Sequence, residues 1–188
     1  MRRIFFSFHY ANDIWRVNQV RNCWLAKRGS SGRLFEDGSL WEKAATRDDC
    51  ALRRMIENAL NETSVTVVLI GAETAGRKFV MYEIEQSLLR GNGLLGVYIH
   101  QLRDAFGQTT KKGPNPLDKL TIPGTSQALS TVFETYDWVD DDGHINLSRW
   151  VDAAAGSQLP FFWTSPEGQR HGHPARPAGQ RTASDARS

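Results

Sequence analysis

SVTVVLIGAETAGRKFVMYEIEQSLLRGNGLLGVYIH, running from Ser64 to His100, decides the fold. Val65 to Ile70 is almost wholly apolar and mostly β-branched, the composition of a strand covered on both faces in a parallel sheet. Leu94 to Ile99 repeats that composition. Between them Val80, Ile84 and Leu88 recur at helical spacing, and Gly91 suits a left-handed helix C-cap. Two buried strands joined by a helical crossover form a βαβ unit. Ligands of open parallel sheets bind outside the carboxyl ends of the strands. Chemistry is therefore expected where Ile70-Gly71 leaves the sheet and the helix begins, and Glu83 in that helix is the candidate catalytic residue.

Working outward, Ile4 to Phe8 reads as a first, central strand. Asn12 or Asp13 is placed to cap a helix running to about Arg21, with Ile14, Val17 and Val20 as its apolar stripe. Signals weaken between Asn22 and Arg47, where Leu34-Phe35 is the best short strand. Asp48-Asp49 caps a second helix in which Leu52, Met55, Ile56, Ala59 and Leu60 recur up to Asn61-Glu62. Thr74 is the expected cap of the helix carrying Glu83. Asp104 to Gly124 is a long loop, of a kind that is usually functional or mobile. Thr131 to Trp138 reads as a last, edge strand, and a final helix is expected from Asn146 or Ser148 to Ala155. The order predicts an α/β, flavodoxin-like, doubly wound sandwich: a mostly parallel five-stranded sheet with helices on both faces. One domain is expected over residues 1–163. Residues 164–188, rich in Pro, Gly, Ala, Arg, His and Ser without periodicity, are expected to be a disordered tail.

Composition excludes several functions. The net charge of +2 resides entirely in the tail, where four arginines face two acidic residues. The body thus has no basic signature for nucleic acid. Cys23 and Cys50 form neither a disulfide framework nor a zinc pattern, and no metal site is expected. No apolar run reaches membrane length and the N-terminus lacks an h-region, which predicts a cytoplasmic protein without a membrane partner. Gly91-Asn92-Gly93-Leu94-Leu95-Gly96 spells G-x-G-x-x-G, but it closes a helix and opens a strand, the reverse of a dinucleotide fingerprint. A receiver-type phosphotransfer domain needs a carboxylate at the end of its central strand, and Leu69-Ile70-Gly71 supplies none.

Several motifs in order then point to a family. Phe5-Phe6-Ser7-Phe8-His9-Tyr10, Asp13-Ile14-Trp15-Arg16-Val17, Val67 to Thr74, Arg77 to Ile84 and Gly93 to His100 together resemble the TIR-like proteins of the Thoeris anti-phage system, the ThsB family, over roughly residues 3–140. The resemblance implies the TIR version of the flavodoxin-like sandwich. It also implies cleavage of NAD, a substrate rather than a bound cofactor, by a glutamate within a W-V-x-x-E pattern. Here that pattern reads Phe79-Val80-Met81-Tyr82-Glu83, with Phe79 in place of the usual Trp. The implied product is a cyclic ADP-ribose isomer, a diffusible signal that activates a partner Thoeris effector after a phage trigger. Residues implied to face NAD are Phe6, Ser7, Phe8 and His9 at or beyond the end of the first strand, together with Asp37 and Trp41 in the following loop region. Tyr82 is also named as an NAD-binding residue because it adjoins Glu83, although it faces another side of the helix. A strand phenylalanine is also an ordinary core residue, and for Phe6 both roles stand open. The alternative function is a non-enzymatic TIR module that works by self-assembly, as a homo-oligomer.

Overall fold

The computed structural model describes residues 2–28, 35–37, 49–122 and 124–157. Five strands, β1 (Ile4–Ser7), β2 (Phe35–Asp37), β3 (Val65–Ile70), β4 (Gly93–Tyr98) and β5 (Thr135–Asp137), form one sheet in the order β2-β1-β3-β4-β5. Every pairing is parallel. This is the flavodoxin-like order, in which the chain reverses its direction of travel across the sheet between β1 and β3. The expected tail and Trp41 lie outside the described residues.

Among the described residues four helices cover the two faces: α1 (Tyr10–Arg28), α2 (Asp49–Asn61), α3 (Lys78–Leu89) and α4 (Gly143–Ala154). Strand alternation divides the core between them. Ile4, Phe6, Val65, Val67 and Leu69 point to one face and pack with Val17, Val20 and Trp24 of α1 and with Leu147, Trp150 and Val151 of α4. On the other face Val68 and Ile70 meet Val80, Ile84 and Leu88 of α3, as the stripe predicted. Phe5 packs there against Leu52, Ile56, Ala59 and Leu60 of α2, while Met55, read as part of that stripe, is largely exposed.

Gly91 performs the expected role. Its φ is 70°, and the amides of Gly91 and Asn92 donate to the carbonyls of Leu88 and Ser87, the paired bonds of a Schellman motif that satisfy the last carbonyls of α3.

Several boundaries differ from the sequence reading, each for a local reason. The α1 helix starts at Tyr10 and continues to Arg28; Asp13 lies inside its first turn, with its amide donating to the His9 carbonyl. Thr74 does not cap α3. It opens a 3-10 turn (Thr74–Gly76), and its hydroxyl accepts from the Gly71 amide at 2.9 Å, so α3 begins only at Lys78 without a side-chain cap. The last strand is an edge, as expected, but only three residues long, because Leu129–Thr131 turn as a 3-10 helix and draw Phe133 into the core beneath α3. The long loop is fastened to the body. Thr110 donates to the His100 carbonyl at 2.9 Å, Asn115 caps the turn Pro116–Asp118, and Lys119 Nζ donates to the Ala75 carbonyl at 2.7 Å. The final helix begins at Gly143, a turn earlier than expected.

Candidate active site

The direction reversal between β1 and β3 is the switch point outside whose carboxyl ends ligands of such sheets bind, and there the last residue of β1 meets the helix that follows β3. Ser7 and Glu83 occupy these positions. Glu83 sits on the inner surface of α3 one turn before Ser87, and only 2% of its surface is exposed. Its Oε2 accepts a hydrogen bond from Ser7 Oγ at 2.5 Å. A buried carboxylate is costly unless it is hydrogen-bonded, and a bond from a neutral donor to a charged acceptor contributes about 1.5–3 kcal/mol.

A second polar contact lies one turn along. Ser87 Oγ donates to the Glu83 carbonyl at 2.6 Å and lies 2.7 Å from Thr66 Oγ1 on β3. The inner face of α3 therefore alternates between apolar packing on Val68 and Ile70 and two hydroxyl contacts with the strands. Hydrogen bonds have directional geometry that apolar packing lacks, so these contacts fix the rotation of α3 about its axis and hence the aim of Glu83.

At the rim, buried His9 approaches two more exposed charged groups. Its Nδ1 lies 3.3 Å from Arg77 Nη2 and 3.9 Å from Glu73 Oε2. Glu73 Oε2 also accepts from Asn12 Nδ2 at 2.9 Å. Behind them Asp13 is 1% exposed, and among the described residues its Oδ2 has no hydrogen-bond partner. Burial is the main reason that its carboxyl is pushed up to about 6, with the Glu73 charge adding and the Arg16 guanidinium opposing. Arg16 lies 3.5 Å from Asp13 and donates to the carbonyls of Leu102 and Gln108 and to Asp104, tying α1 to the segment after β4.

The structure brings Ser7 and Glu83 together and places His9 at the rim. Phe6 and Phe8 belong to the core on the α1/α4 face, on the opposite side of the sheet from Glu83, with the Arg21 guanidinium 5.0 Å over the Phe8 ring. Phe6 is fully buried in that packing. Tyr82 turns toward α2, where its hydroxyl donates to Glu57 and the Arg53 guanidinium lies 4.6 Å over its ring; burial and the Glu57 carboxylate push the phenol up. Asp37 ends β2, its backbone opposite Phe6. Sequence reading did not foresee the contact of Asp13 with Arg16 or the Thr66/Ser87 pair. The signal for that pair was a threonine inside an otherwise apolar strand and a serine four residues after the candidate glutamate. Among the described residues no group of side chains could hold a metal ion, and no helix is long and apolar enough to cross a membrane.

Residues 5–104, from β1 to the segment after β4, match the family described as the Thoeris protein ThsB, TIR-like domain. The chain belongs to the ThsB TIR-like family. The matched span contains Ser7, His9, Asp13 and Glu83. A ThsB relative from Bacillus cereus (strain MSX-D12), described as a candidate cyclic ADP-D-ribose synthase and designated ThsB1, is 38% identical over 190 aligned positions. The alignment covers 80% of this chain and 99% of that protein.

Proposed function

We propose that this ThsB-family chain cleaves NAD at the bond between nicotinamide and ribose and makes a cyclic ADP-ribose isomer, with Glu83 as the catalytic carboxylate. The observation that carries the reading is a buried, hydrogen-bonded glutamate at the switch point of the sheet, in a chain 38% identical to a relative described as a candidate cyclic ADP-D-ribose synthase.

The chemistry suits the residue. When the C1′–N bond breaks, its electron pair leaves with nicotinamide, which departs as a neutral molecule and needs no general acid. The ribose becomes oxocarbenium-like, and a carboxylate aimed at it stabilises the developing positive charge and holds the ribose hydroxyls. Capture by water, with loss of a proton, gives linear ADP-ribose. Capture by a nucleophile of the adenosine half closes a ring, an outcome favoured where water is excluded. The product serves as the diffusible signal to a Thoeris effector, and a phage component acts as the trigger.

The test is mass spectrometry of nucleotides in lysates of phage-infected cells carrying the protein or its Glu83→Gln variant. A species with the mass of cyclic ADP-ribose, seen only with Glu83 intact, is the expected result. Unchanged NAD and no such species in either lysate would favour the assembly reading.

A further inference from the structure

Strand β1 presents alternate residues to the two faces of the sheet. Four of the five residues from Ile4 to Phe8 are large and apolar, and all four are in the core. Ser7 is the exception. It is fully buried, it points to the α3 face, and beside it in the parallel register stands Val68. An apolar residue at that place would continue the packing that Phe5 and Val68 provide, but it would leave the Glu83 carboxylate without this donor. The hydroxyl is thus explained by Glu83 and by no requirement of the strand itself.

From this, and resting on the reading of Glu83 as the catalytic carboxylate, we propose that Ser7 is a positioning residue: its hydroxyl holds Oε2 of Glu83 and fixes the plane of the carboxylate toward the ribose. The bond joins residues 76 apart in sequence and spans the switch point itself, from the end of β1 to the helix after β3. Ser7 acts through Glu83 and not by touching NAD, in contrast to the NAD-facing role that its place at the end of the strand implied. The Thr66–Ser87 contact supports the same function from below, since it fixes the backbone that carries Glu83. Misplacement of a catalytic group by about 1 Å costs on the order of 100-fold in rate.

Full-length protein purified from phage-infected cells serves for the test, as wild type, Ser7→Ala, Ser7→Thr, Ser7→Cys and Glu83→Gln. Nicotinamide release gives kcat and KM, calorimetry gives the Kd for NAD, and thermal melting reports folding. Ser7→Ala is expected to lower kcat by roughly 10- to 100-fold while the Kd for NAD stays within about twofold. Ser7→Thr, which keeps the hydroxyl, is expected to recover most of the loss. Ser7→Cys, close in size but a weak donor, is expected to behave like Ser7→Ala, and it carries the comparison if Ser7→Ala does not fold. Wild-type kcat in Ser7→Ala overturns the proposal, as does weakened NAD binding with kcat retained, which would make Ser7 a substrate contact. A folded Ser7→Thr as slow as Ser7→Ala overturns it too. Glu83→Gln tests the underlying reading separately. Full activity there, or no nicotinamide release by the wild type, sinks that reading together with the role of Ser7. An inactive Glu83→Gln beside a fully active Ser7→Ala sinks the role of Ser7 alone.

Discussion

The carboxylate of Asp13 lies directly against Gly71, so close that a β-carbon at Gly71 would fall 2.2 Å from Oδ2 and 2.5 Å from both Cγ and Oδ1. Asp13 is enclosed by the protein and cannot swing into solvent, so the space is closed from both sides. Gly71→Ala is expected to destabilise the protein by about 1–3 kcal/mol, the usual range for an overpacked interior. In an Asp13→Ala background the same change should cost far less, because the obstructing carboxylate is gone. A double-mutant cycle by urea unfolding measures the difference; equal costs in the two backgrounds would show that the contact is not what constrains position 71.

Asp13 also gives the fold a definite dependence on pH. Its carboxyl titrates at about 6 in the folded chain, against 3.8 for the ordinary group. Between those values the folded state holds a proton that the unfolded state has released. The contribution of Asp13 is thus fully present below pH ~4 and is lost as pH rises through 6, by about 3 kcal/mol in all. Asp13→Asn should therefore gain stability relative to wild type as pH is raised from 4 to 7. Unfolding midpoints across that range check it, and a constant difference between the two proteins would contradict it.

Tyr82 neighbours Glu83 in sequence but serves the contact between α2 and α3. Tyr82→Phe should leave the nucleotide product unchanged and cost about 0.5–1.5 kcal/mol through loss of the bond to Glu57. Product yield measured beside thermal stability separates the two effects. A stable variant that makes no product would place Tyr82 at the site after all.

Phe6 should behave as a core residue. Phe6→Ala is expected to cost about 3–5 kcal/mol. Phe6→Leu, which stays apolar but cannot stack on a base, should fold with most of its activity. Loss of NAD binding in a well-folded Phe6→Leu would restore a stacking role to the ring.

The sequence yields the fold where a local pattern and its burial agree. Val65–Ile70 is legible because a β-branched apolar run is what a doubly covered strand requires, and Gly91 because only a left-handed residue ends a helix in that way. Thr131 to Trp138 misleads because its alternation continues through residues that turn inward, and Phe133 is buried by tertiary packing instead of pairing. Asp13 resembles a cap, since its type suits one, but its carboxylate is engaged with Arg16 and pressed on Gly71. Glu83 could be singled out from its helix and its motif. Ser7 could be named beside it, but not as its hydrogen-bond donor, because periodicity reports which face a residue occupies and is silent about the partner it meets from another part of the chain.

Strand β1 is made first and lies inside the sheet, but its neighbour β3 begins only at Val65. Ile4 thus pairs with Val65, 61 residues further along the chain, and parallel pairing over such separations is slow. Glu83 follows later still. Glu83 therefore meets the Ser7 hydroxyl only after the middle of the sheet has closed, and a chain that has not yet paired β1 with β3 cannot make that contact.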